Sequence, residues 1–150
     1  MKSLLLVFIS FVFLYGSFID RAVDIAKSKL GSPYRYGKSG ENSFDCSGFV
    51  YYVYHKRLGF YLPRTAYDMS NMSEDKIFEK DALKRGDLLF FDTRDRGYVN
   101  HVGIYLGNKR FIHASSGKAY QVTISPLDKG FYRDRFLWGI RLERSSKLHR

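Results

Sequence analysis

The chain has 150 residues, 45% of them apolar and 27% charged, with 13 Phe, 12 Tyr and only 3 Pro. This composition excludes a disordered or fibrous protein, and the length allows one core and one site, hardly two. Lys and Arg outnumber Asp and Glu by 25 to 15, a net charge of +10, but the basic residues are scattered (Lys27, Arg35, Lys56, Lys84 and Arg133 among them). That scatter argues against nucleic acid as a partner and fits an anionic bacterial envelope, or simply a solvated basic surface.

Residues Leu4 to Tyr15 form an apolar run between Met1-Lys2 and Gly16-Ser17, the pattern of an export signal. Leu14 or Tyr15 stands where a cleavage site needs a small residue, so residues 1–17 are expected to be a cleaved leader or an uncleaved membrane-associated anchor. Ile19, Ala22, Val23, Ala26 and Leu30 then recur at helical spacing, and Gly31 follows as a C-cap. A loop over 31–43 carries Tyr34 and Tyr36. A second helix is expected from about Cys46 to Leu58, with Asp45 as N-cap, Gly59 as stop, and Phe49, Val50, Val53, Tyr54 and Leu58 as its buried stripe.

The segment from Leu62 to Asp81 is polar and irregular, with room for a short helix from Thr65 to Met72. After Gly86-Asp87 the period changes to two. Leu88 to Phe91 reads as a strand, Val99 to Leu106 and Arg110 to Ala114 as a hairpin around Gly107-Asn108-Lys109, and Gln121 to Ile124 and Leu137 to Leu142 as two more strands. Helices followed by about five sequential strands point to one α+β domain over 18–143 with an antiparallel sheet, and 144–150 form a polar tail.

Cys46 is the sole cysteine, so no intramolecular disulfide can form. A lone thiol in an exported protein is either an inert buried residue or one whose reactivity is used. At the start of a helix, unpaired N–H groups and the helix dipole favour an anion, which predicts a lowered thiol pKa. Four histidines are candidate bases. His149 lies in the tail, and His55 lies roughly 13 Å along the helix from Cys46 at 1.5 Å per residue; both are expected on the surface. His101 and His113 occupy the two arms of the hairpin, on one face, opposite or nearly so, with Cβ atoms about 5 Å apart. As metal ligands they lack a third and fourth partner at recognisable spacing, so no metal or other cofactor is expected. They form either a structural pair within the sheet or a relay in which His101 takes a proton from Cys46 and His113 orients it.

Six strings in order complete this reading: Leu30-Gly31-Ser32-Pro33-Tyr34-Arg35-Tyr36-Gly37, Phe44-Asp45-Cys46-Ser47-Gly48-Phe49-Val50, Leu62-Pro63-Arg64-Thr65, Gly86-Asp87-Leu88-Leu89-Phe90-Phe91, His101-Val102-Gly103-Ile104-Tyr105-Leu106-Gly107-Asn108 and Phe111-Ile112-His113-Ala114. Over residues 20 to 142 the chain resembles the NlpC-type cysteine peptidases. The resemblance implies a papain-like α+β domain acting on peptidoglycan stem peptides; a monomer is expected. The bond implied is that between γ-linked D-Glu and a diamino acid, or a cross-link involving the diamino acid.

It further implies Cys46 as nucleophile, His101 as base and then acid, and His113 as the orienting third member. Tyr34 would sit beside the thiol as an oxyanion donor together with the Cys46 N–H, and Asp45 and Ser47 would line the substrate cleft. Three positions depart from the family pattern: Lys38 where a second glycine is common, Met69 where a glutamine often stands, and Gln121 where a glycine is usual. The same Cys-His chemistry would serve an amidase or acyltransferase, and a fold retained only for envelope binding is the alternative outside enzymes.

Overall fold

The computed structural model describes residues 18–143; the apolar N-terminal run and the tail with His149 lie outside the described residues. Helix α1 occupies residues 18–28 and buries Ile19, Ala22, Val23 and Ala26 as its spacing predicts. It ends sooner than expected. Leu30 is 45% exposed, and Gly31, with φ +85°, donates its N–H to Val122 O at 2.9 Å in the sheet instead of closing the helix.

Helix α2 runs Cys46–Tyr51 behind Asp45, whose carboxylate accepts from the Gly48 N–H at 2.6 Å. The predicted helix continues, but as a π-helical turn over Tyr52–Arg57. This wider turn accompanies burial of three successive residues, Tyr52, Val53 and Tyr54, which a 3.6-residue stripe does not anticipate. The Tyr54 hydroxyl donates to Gly86 O at 2.7 Å, tying the helices to the start of the sheet. Helix α3, Ala66–Ser70, is capped by Thr65, whose hydroxyl accepts from the Asp68 N–H at 3.1 Å.

Six strands follow rather than about five: β1 Lys76–Ile77, β2 Leu88–Phe91, β3 His101–Gly107, β4 Arg110–Ala114, β5 Val122–Pro126 and β6 Phe136–Ile140. All pairs are antiparallel, in the order β1-β6-β2-β3-β4-β5. The added strand, β1, is two residues long and shows no alternation from which it could be read. All four residues of β2 are buried because both faces of the sheet are covered. Leu88 and Phe90 pack towards the helices with Val102, Ile104 and Ile112, whereas Leu89 and Phe91 join Tyr105, Phe111 and Leu127 in a second apolar cluster.

The β3–β4 hairpin turns on Asn108 and Lys109, both left-handed (φ +52° and +59°), as a two-residue turn matched to strand twist requires. At the far edge, β5 is covered by the loop after α1: Val122 N–H donates to Ser32 O at 2.9 Å and Tyr34 N–H to Tyr120 O at 3.0 Å. No helix among the described residues is long and apolar enough to cross a membrane.

Candidate active site

Cys46 is the first residue of α2, and α2 packs on β3 and β4. Its Sγ lies 3.8 Å from Asn100 O, and the backbone N–H groups of Ser47 and Val102 point at it. The thiol therefore sits against the residues on both sides of His101. His101 is 6% exposed and His113 fully buried.

Ile104 pairs with Ile112, so one residue further along Gly103 stands opposite His113, and His101 is diagonal to His113 on the same face. The register break between Tyr105 and Gly107 secures the shared face: continued unbroken from the Gly107–Arg110 pair, the ladder would set Ile104 opposite His113 and His101 on the other face. Gly103 makes the diagonal contact feasible: a Cβ there would lie 3.2 Å from His113 Cβ and 2.7 Å from Phe111 Cδ2. Across that gap His101 Nε2 and His113 Nδ1 are 2.8 Å apart. His113 Nε2 then meets Ser125 Oγ at 2.8 Å, again diagonally, because Ser125 pairs with Phe111 and His113 with Thr123.

One tautomer pattern satisfies this chain while leaving His101 a free lone pair. His101 carries its hydrogen on Nε2 and donates to His113 Nδ1; His113 donates from Nε2 to Ser125 Oγ; His101 Nδ1 remains the acceptor. Tyr132 covers the pair, its ring stacked on His101 at 5.9 Å and 23° and edge-on to His113 at 5.0 Å, with its hydroxyl bonded to the Ser115 side chain.

Burial decides the protonation states. It lowers the His101 pKa to about 4 and, with the neighbouring His101, holds His113 well below the usual histidine range. It also raises the Cys46 thiol to about 11, helped by the Asp45 charge and opposed by the Ser47 and Val102 N–H groups. The lowered thiol pKa expected from the helix N-terminus is thus overturned, because desolvation outweighs the N–H groups. Thiol and imidazole are both held neutral. The Tyr34 hydroxyl is raised to about 12 by burial and then by the charges of Cys46 and Asp45, so it remains a neutral donor close to the sulphur.

Asp45 and Ser47 belong to a second cluster. Arg64 binds Asp45 bidentately at 3.1 and 2.9 Å and donates to Ser47 Oγ at 2.8 Å. The Asp45 carboxylate also accepts from the Gly37 N–H at 3.0 Å and the Gly48 N–H at 2.6 Å. The capping role of Asp45 is therefore part of a larger clamp that joins the 31–43 loop, α2 and the Leu-Pro-Arg-Thr segment. His55 takes no part in either cluster. It is half-buried rather than a plain surface residue, stacked on Tyr51 at 4.4 Å and accepting from the Leu62 N–H at 3.3 Å. Among the described residues no three His, Cys, Asp or Glu side chains gather to hold a metal ion.

Residues 31–141 match the NlpC/P60 family. The chain belongs to the NlpC/P60 family. Among NlpC/P60 relatives, it is 36% identical over 129 residues to murein DD-endopeptidase MepH of Escherichia coli K12, covering 83% of this chain and 47% of the relative. It is 38% identical over 120 residues to gamma-DL-glutamyl hydrolase of Bacillus subtilis 168, covering 79% of this chain and 28% of that one. The chain thus spans half or less of the length of these relatives. The crystal structure of an NlpC/P60 family protein from Bacillus cereus superposes with a TM-score of 0.73 at 31% identity, over 82% of this chain and 39% of that one. The fold is the papain-like α+β fold of NlpC/P60 domains, as expected.

Four residues of the NlpC/P60 site escaped the sequence reading. Arg64 and Gly103 lay in strings noted only as motifs. Ser125 and Tyr132 carry no local signal; the register of β4 with β5 is what brings Ser125 to His113.

Proposed function

We propose that this chain is a cysteine hydrolase that cuts peptide bonds in the stem peptides or cross-links of bacterial peptidoglycan. Residues 18–143 form the hydrolase domain, and it works as a monomer in the cell envelope. The observation that carries the reading is the hydrogen-bonded chain from Ser125 through His113 to His101, whose two sequence neighbours, Asn100 and Val102, contact the Cys46 thiol through their backbones. A buried polar chain of this kind leaves one imidazole nitrogen free and aims it, which a structural histidine pair does not need.

His101 Nδ1 takes the thiol proton as Cys46 Sγ attacks the scissile carbonyl, so the thiolate forms only as it is consumed. The C–S bond forms, and the resulting oxyanion is held by the Cys46 N–H and the Tyr34 hydroxyl, which its raised pKa keeps protonated. His101 passes its proton to the departing amine, the C–N bond breaks, and a thioester remains. Water, deprotonated by His101, then releases the acid and restores the thiol. His113 and Ser125 keep the His101 ring in the orientation and tautomer this cycle requires. Asp45 and Ser47 line the cleft while holding Arg64.

Relatives named as a murein DD-endopeptidase and a gamma-DL-glutamyl hydrolase support the substrate class and location. The finer assignment is to the bond between γ-linked D-Glu and a diamino acid, or to a diamino acid cross-link; the name of the gamma-DL-glutamyl hydrolase fits a γ-linked glutamyl bond. The test is digestion of purified peptidoglycan and soluble muropeptides by the full chain, wild type beside Cys46→Ala, with products identified by mass spectrometry. Stem-peptide fragments from wild type alone are expected and name the bond. Two folded proteins that sediment with the wall and release nothing would replace the hydrolase by a binding module.

A further inference from the structure

The turn from Arg35 to Lys38 takes no part in the hydrolytic cycle, yet it is firmly built. Lys38 N–H donates to Arg35 O at 3.2 Å, and Gly37 supplies the left-handed residue, φ +75°. The clamp already described fixes this turn to the nucleophile's helix. Gly37 N–H is held by Asp45 Oδ2 at 3.0 Å, and Lys38 O accepts from the Asp45 N–H at 2.8 Å. The Lys38 carbonyl lies 2.0 Å from where a Cβ on Gly48 would stand, so only glycine fits there. Gly48 lies two positions after Cys46 on the same helix.

The turn carries side chains that nothing within the described chain uses. Tyr36 is 89% exposed, and the exposed Arg35 and Lys38 side chains make no ion pair or hydrogen bond among the described residues. Opposite them stands Tyr120, its ring 5.4 Å from that of Tyr34 and its backbone left-handed at φ +49°. A bulky residue in that region is strained and persists only where its surroundings over-determine it, a condition that clusters at ligand sites. Between the two walls lies a pocket of about 440 Å³ lined by Pro33, Tyr34, Arg35, Tyr36, Lys38 and Tyr120. The Arg94 charge is also felt at the Tyr34 hydroxyl, adding to the positive potential on this side of the site.

We propose that this pocket is a subsite for a carboxylate of the peptide substrate, with Arg35 and Lys38 as its cations and Tyr36 and Tyr120 as its walls. The proposal rests on the hydrolase reading for its substrate class and goes beyond it in assigning recognition to this turn. A guanidinium fork and an ammonium lining one pocket suit a planar carboxylate. Lys38 occupies a position where the family resemblance leads one to expect glycine, so the second cation is a feature of this chain.

The test compares two synthetic stem peptides with the same scissile amide, one with free carboxylates and one with each converted to a carboxamide. The full-length wild type, Arg35→Gln, Lys38→Gly and the double variant are assayed for kcat/KM on both. Wild type should prefer the carboxylate peptide by about tenfold, the scale of one charge-assisted contact, chiefly through KM. That preference should shrink in each single variant, fall to near one in the double variant, and narrow with added salt. Equal use of both peptides by wild type, or a preference that survives in the double variant, overturns the subsite. Calorimetric binding of the same peptides to full-length Cys46→Ala, with and without the two substitutions, decides the subsite even if wild type hydrolyses neither. The absence of turnover would then count against the hydrolase reading alone. Tighter binding of inorganic phosphate than of the carboxylate peptide would overturn the assignment to a carboxylate.

Discussion

Two polar clusters meet at Cys46, and they are built in opposite ways. The two imidazoles of the chain His101–His113–Ser125 are buried in the sheet and held neutral, each ring linked by a hydrogen bond to the next member. The clamp Asp45–Arg64–Ser47 is charged, partly open to water, and drawn from a helix terminus and two loops. The reacting groups are thus kept uncharged until substrate arrives, while formal charge serves to hold backbone in place. In such an arrangement losses in the first cluster should appear as rate and losses in the second chiefly as stability.

The sharpest way to break this division is Cys46→Ala. Hydrolysis should vanish, while stability in urea changes by on the order of 1 kcal/mol or less, as for other small substitutions with no lost network. His101→Ala should lower kcat/KM by on the order of a hundred- to ten-thousandfold, the scale of a lost general base, and His113→Ala by about ten- to a hundredfold. Equal losses in both would mean that the two histidines act as one unit rather than as base and support.

Acid should also separate the clusters. His101 falls from 6.5 in an unfolded chain to about 4 in the fold, so between those values the unfolded state binds more protons. Stability is therefore full above about pH 6.5 and lost as pH falls towards 4, by roughly 3 kcal/mol. Urea denaturation across this window checks it, and His101→Ala should flatten the slope. Activity should keep its acid limb below the ordinary histidine range, because the buried His101 base stays unprotonated down to about pH 4.

Asp45→Ala removes the N-cap and leaves Arg64 unpaired, and should cost about 2 kcal/mol in urea denaturation. A rate loss without a stability loss would place Asp45 with the reacting groups instead. Ser125→Ala is the mildest change, about a threefold loss in kcat, since the hydroxyl acts two hydrogen bonds away from His101.

What the sequence disclosed follows from how local each feature is. The amphipathic stripe of α1, the Asp45 cap, the uninterrupted apolar β2 and the Asn108-Lys109 turn each express their conformation within a few residues. Cys46, His101 and His113 were legible because their types are rare in this chain and their spacing is fixed by a helix start and one hairpin. Ser125 was not, because its role depends on the register of β5 against β4. The raised thiol pKa was not either, since burial by α2 against β3 is a property of the assembled layers and opposes the local helix effect. The π-helical turn was hidden for a related reason: tertiary packing of Tyr52, Val53 and Tyr54 overrides a period that assumes one buried stripe.

The two margins of the sheet have a consequence for how the protein behaves at high concentration. One margin is a strand of only two residues, Lys76–Ile77, beginning with a lysine, and the other, the five-residue β5, is overlaid at its start by the segment from Gly31 to Tyr34. Neither offers the long row of free N–H and C=O groups on which a second chain could add a strand. Edge-to-edge aggregation is thereby disfavoured in a protein whose sheet is otherwise open, antiparallel and rich in aromatic residues.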